Sequence, residues 1–155
     1  MLPQDHSEVN DMTHEDRGHY AKKHSSERKV RPDIAAAVKQ KTSHGKITCA
    51  AAHQIAEKLN VPPSEVGFTI DFLEIRIEKC QLGLYGYRPE RKIVKPEKNV
   101  SKRIEDAVRG SLDNDRLTCK TAWEIAKRLG IIKMEVSSAC EALNIKISSC
   151  QLGAF

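Results

Sequence analysis

The chain has 155 residues, 26 Lys and Arg against 21 Asp and Glu, a formal charge of +5, and 5% aromatic residues. No apolar run approaches the roughly 18 residues that a membrane-spanning helix needs, and the polar start MLPQDHSEVNDMTHEDRGH has no hydrophobic stretch of a secretory signal. At roughly 100–200 residues per domain the length allows one ordinary domain or two very small ones, with little core from which to carve a deep enzyme pocket.

Shifted by 70 residues, the chain matches itself without a gap. KITCAAAHQIAEKLNVPPSEVGFTIDFLEIRIEKCQLGLY aligns with RLTCKTAWEIAKRLGIIKMEVSSACEALNIKISSCQLGAF. Identical pairs include Thr48/Thr118, Cys49/Cys119, Ile55/Ile125, Ala56/Ala126, Val66/Val136, Ile77/Ile147 and the run Cys80–Gly83 against Cys150–Gly153. This is a tandem duplication, and it organises the chain. Residues 1–32 read as a flexible polar tail. Residues 33–88 form a first module and 104–155 a second. Residues 89–103, PERKIVKPEKNVSKR, read as a basic linker.

Within a copy the elements follow in order. Ile34, Ala37 and Val38 have helical spacing and predict a helix over 34–43, stopped by His44-Gly45. Lys46-Ile47-Thr48 is a short extended piece. Thr48 is a good N-cap for a second helix, Ala50 to Leu59, with Ala52, Ile55, Ala56 and Leu59 inward. Asn60, and Gly130 in the second copy, suit a left-handed turn. Val61-Pro62-Pro63 leads to a third helix, Ser64 to Glu74, with Val66, Ile70 and Leu73 inward. Ile75-Arg76-Ile77 alternates as a strand, and Leu82 to Tyr87 is its expected hairpin partner.

Helix, strand, helix, turn, helix, hairpin resembles the winged helix-turn-helix family, most visibly in IAEKLNVPPSEV and IAKRLGIIKMEV. The likeness covers about two thirds of the chain; the CQLG run is not part of it. It implies a mainly α, α+β fold of two tandem winged modules, each with three helices and a short β-hairpin. It also implies that the third helix enters a DNA major groove.

Charge complicates that role. The third helices carry Glu65, Asp71 and Glu74 in copy one and Glu135 and Glu141 in copy two, with no basic residue in Ser64–Glu74 or Met134–Leu143. Two readings stay open. In one, a cytoplasmic transcriptional regulator binds DNA as a built-in pseudo-dimer through Lys39, Lys41, Arg76, Arg88, Arg91, Lys92 and Lys95. In the other, the fold is a protein-interaction adaptor whose third helices dock a partner through Phe68, Asp71, Phe72, Ser138 and Glu141. Self-association is compatible with either, and a membrane partner with neither.

Five cysteines, an odd number with no C-x-x-C, read as reduced thiols in the cytoplasm. Cys49 and His53 are four apart on a helix, so Cys49, His53 and Cys80, with His44, form a candidate metal or redox site. Copy two has Trp123 and Asn114 in place of the histidines, and the repeated cysteines read first as small buried hydrophobes. His6, His14, His19 and His24 are too loosely spaced for a compact zinc motif. No GxGxxG, P-loop, GxSxG or HExxH is present, so neither an enzyme nor a cofactor is expected.

Overall fold

Pro32 suits the first turn of a helix, where its missing N–H costs nothing, and α1 spans Pro32–Lys41. It ends where the Thr42 hydroxyl donates to the Val38 carbonyl (2.6 Å). This is a computed structural model in which residues 28–155 are described. A tight turn follows. Ser43 and Lys46 exchange backbone hydrogen bonds of 2.9 and 3.0 Å, and His44 and Gly45 both have positive φ, as a type I′ turn requires. The second copy builds the same turn from Asn114 and Asp115.

β1 (Lys46–Thr48) runs into α2 (Cys49–Leu59). The Ala51 N–H donates to Thr48 Oγ1 (3.0 Å), the expected cap. Asn60 ends the helix at φ 56°. After it come α3 (Pro63–Phe72) and β2 (Arg76–Glu78). Copy two repeats the series as α4 (Lys102–Arg109), β3 (Arg116–Thr118), α5 (Cys119–Leu129), α6 (Lys133–Leu143) and β4 (Lys146–Ser148). Thr118 caps α5, and Gly130 ends it at φ 71°.

The fold is mainly helical with short strands, but the expected hairpin is absent. β2 pairs with β1, in parallel, Lys46 opposite Arg76 and Ile47 opposite Ile77. β4 pairs with β3 in the same register. Leu82–Tyr87 is not a strand. Gly83 and Gly86 both adopt positive φ, which breaks the extended run a return strand needs.

Two compact units result, and they do not follow the copy boundaries. Unit 1 combines the described chain up to Glu78 with Gln151–Phe155; unit 2 is Lys79–Cys150. The boundaries at 88/89 and 103/104 therefore fall inside unit 2. In unit 1 the core is Ile34, Val38, Ile47, Ala52, Ile55, Val66 and Ile70, joined by Leu152 from the end of copy two. In unit 2 it is Val108, Leu117, Ala122, Ile125, Val136 and Ala139, joined by Leu82 from the end of copy one.

The two seats for these leucines are equivalent positions of the repeat. A Cβ on Gly67 would stand 2.0 Å from the Leu152 carbonyl oxygen, so only glycine admits the arm there. Position 137 carries a serine whose hydroxyl donates to the Leu82 carbonyl (2.6 Å). Gly67→Ala should expel the arm and cost about 1–3 kcal/mol through overpacking, read as a lower urea midpoint. Deleting Gln151–Phe155 should also lower it. Wild-type unfolding in both variants would show that the arm is not part of unit 1.

Candidate nucleic-acid interface

The third helices decide what surface is left for function. In α3, Val66, Gly67, Phe68, Thr69, Ile70 and Asp71 are six consecutive buried residues. A stretch enclosed on every side is core, and α3 keeps only Ser64 and Phe72 exposed at its two ends, which is not a continuous face for a DNA groove. Two residues expected outward are thus corrected: Phe68 is 2% and Asp71 4% exposed, while Phe72 is 50% exposed. Helical spacing picks out outward residues only where a helix keeps one wet face, and the middle of α3 keeps none.

In α6 the outward positions exist but are covered by chain from the same unit. The Ser138 hydroxyl donates to the Lys95 carbonyl, and the Ser138 carbonyl accepts from the Glu97 N–H (3.1 Å). Glu141 pairs with Lys92 at 2.8 Å. Val94 is buried, and its N–H donates to the Gly83 carbonyl (3.1 Å). The segment expected to be a linker is a strap across α6.

Copy one shows the beginning of the same feature. The Arg28 guanidinium lies 4.0 Å above the centre of the Phe68 ring and pairs with Glu65 at 3.2 Å. Arg28 is the repeat equivalent of Lys98, and Phe68 of Ser138. A signal was present in the sequence: ERKV at 27–30 aligns with EKNV at 97–100 at the same 70-residue offset. The polar composition and prolines masked it.

The other basic candidates divide between the units. Lys39 and Lys41 are exposed in the last turn of α1, and Arg76 is half-buried on β2; these lie in unit 1. Arg88, just before the strap, and Arg91, Lys92 and Lys95 within it are exposed, in unit 2. Lys92 is engaged with Glu141, whereas Arg88, Lys95 and Lys98 make no ion pair among the described residues. Unit 2 carries fifteen Lys and Arg against nine Asp and Glu, an excess of six.

The cysteines sort by burial. Cys49 and His53 lie on α2 in unit 1, and Cys80 lies in unit 2, where Cys150 also belongs. Burial holds the Cys80 thiol above its ordinary value, while the N–H groups of Leu84, Leu82 and Tyr85 hydrogen-bond to the sulfur and pull the other way. Burial, with a smaller push from Glu141, raises Cys140 to about 11. Among the described residues no cluster of three His, Cys, Asp or Glu is placed to hold a metal ion. Likewise no helix there is long and apolar enough to cross a membrane.

No known family, curated protein or solved structure matches the chain.

A raised thiol pKa leaves less thiolate, the reactive form, at neutral pH. In the folded chain at pH 8, iodoacetamide should therefore label the half-buried Cys150 well before Cys80 or Cys140. Raising the pH toward 11 should speed labelling of Cys140. Equal rates at Cys80 and Cys150, measured by peptide mass spectrometry, would contradict this ordering.

Proposed function

We propose that the chain is a DNA-binding, regulator-type protein built from two helix-turn-helix-like units, and that it grips the phosphate backbone with exposed cations rather than with its third helices. The observation that carries this reading is the positive excess of unit 2, much of it on the strap, together with the enclosure of α3 and the strap over α6. Phosphate contacts from Lys and Arg supply most of non-specific affinity, and cations free of ion pairs are the ones available to make them. The helical order within each copy, with its left-handed corner at Asn60 or Gly130, supports a winged-helix ancestry in which the wing has been replaced by a parallel strand pair. Such binding positions a protein on the duplex without reading its sequence.

A protein-binding reading retains two supporting observations, the half-exposed Phe72 in unit 1 and the exposed Ile132 in unit 2. Single exposed apolar residues are common and need no partner, so the charge reading is preferred.

The test is the salt dependence of duplex binding. Affinity should fall steeply with salt, and replacing Arg88, Arg91 and Lys95 by Ser should reduce the log–log slope by roughly 0.9 for each phosphate contact removed. Lys92 is left intact because its loss would also free the strap from Glu141. No shift of any duplex at low salt would remove the proposal.

A further inference from the structure

Two cations stand directly opposite one another on the strand pair of each unit. Lys46 faces Arg76 in unit 1, and Arg116 faces Lys146 in unit 2. The intervening Ile47, Ile77, Leu117 and Ile147 are buried. Side chains alternate along a strand, so each pair shares the outward face. Like charges directly across a strand pair are destabilising. None of the four cations forms an ion pair among the described residues, although Glu78 shares the outward face of unit 1 and Asp113 and Asp115 flank Arg116.

Packing does not ask for this arrangement, yet both copies keep it. They keep it with the residue types interchanged, Lys–Arg in one and Arg–Lys in the other. What has been retained since duplication is therefore two adjacent positive charges rather than a particular side chain. The next outward pair has not been retained in charge: Thr48 faces Glu78, but Thr118 faces Ser148. The buried isoleucines and leucine hold the strand backbones in fixed register. The two cations are thereby held on backbone positions directly opposite one another.

We propose that each strand pair is an anion clamp, formed by Lys46 with Arg76 and by Arg116 with Lys146, whose ligand is the phosphodiester of a nucleic-acid backbone. This rests on the DNA-binding reading above and assigns it a duplicated site. An anion placed between the two side chains turns their repulsion into paired attraction. The parallel pair thus takes the phosphate-contacting role that a wing has in the resembled family.

The experiment compares four full-length chains: wild type, Lys46→Ser with Arg76→Ser, Arg116→Ser with Lys146→Ser, and all four changes together. Lys58→Ser with Arg128→Ser is the control, since it removes two cations retained on α2 and α5. The fourfold variant should bind a DNA duplex at least tenfold more weakly, with a log–log salt slope lower by about 3–4, and each double variant should lie between. The control should weaken binding less than either double variant. Without ligand, the double variants should melt no lower than wild type, because each loses a like-charge contact. A clear fall in Tm in both would overturn the clamp, since the pairs would then be structural. Undiminished duplex binding by the fourfold variant would overturn the clamp and leave the DNA reading standing. If wild type shifts no duplex at low salt, the DNA reading falls, and inorganic polyphosphate becomes the probe. Polyphosphate binding lost in the fourfold variant would then support a phosphate clamp with another source of ligand, and none in wild type would overturn it.

Discussion

Each unit of this protein is completed by five or more residues from the far end of the other copy, and the seating of one leucine in each unit fixes that exchange. Leu152 and Leu82 are both essentially buried, which is worth about 1.5–3 kcal/mol for a leucine side chain. The seats also demand backbone proximity, with the Leu152 carbonyl against Gly67 and the Leu82 carbonyl accepting from Ser137. A copy that kept its own arm would leave the other unit with an open seat. The duplicated CQLG run is therefore retained by packing. Its glycine has φ 74° in one copy and 82° in the other, so the arm turns the same way in both.

The exchange has a consequence for the third helices. In a small helix-turn-helix unit the third helix is available to a partner because nothing else covers it. Here the arm occupies one flank of α3 at Gly67, α1 and α2 pack against α3 as well, and Arg28 lies over Phe68. In α6 the strap takes the outward positions. Burying these helices adds core to units that are short of it, since domains this small bury a low fraction of their surface. The same burial removes the surface that the resembled family uses for recognition. Any nucleic-acid contact must then come from strand faces, the strap and helix ends.

What the sequence made legible is what depends on neighbours in the chain. The Thr48 and Thr118 caps, the left-handed Asn60 and Gly130, and the inward Ile34, Val38, Ile55 and Val66 follow from local rules and stand in the structure. Strand pairing was not legible. Ile75-Arg76-Ile77 and Lys46-Ile47-Thr48 each announce a strand with one buried face, but alternation carries no information about the partner or its direction. The glycines at 83 and 86 are the local signal against a return strand. Phe68 was misplaced for a related reason: Val66 and Ile70 fall on one side of the helix and Phe68 on the other, the signature of one buried all round, not of one with a wet stripe. The strap was hidden because prolines and charges look like a linker until a covered helix gives them something to lie on.

Retention between the copies separates packing from function better than composition does. Most identical pairs are accounted for by burial, capping or turn geometry: Cys49/Cys119, Ala52/Ala122, Ile55/Ile125, Val66/Val136 and Leu82/Leu152 are all buried. The left-handed positions agree as well, since 44/114, 45/115, 60/130, 74/144, 79/149 and 83/153 all carry positive φ in both copies. At several of those positions the residue itself has changed, so the backbone has been held while side chains drifted. Against that background the cations kept at 46/116 and 76/146 stand apart from other retained cations such as Lys58/Arg128, because they face one another across a strand pair. They cap no helix, sit at no positive φ and repel one another. Selection on the fold alone would let either drift to a neutral residue, and the adjacent position 78/148 shows that such drift has occurred on the same strand face. Charge retained against unfavourable electrostatics is what the proposed anion clamp accounts for.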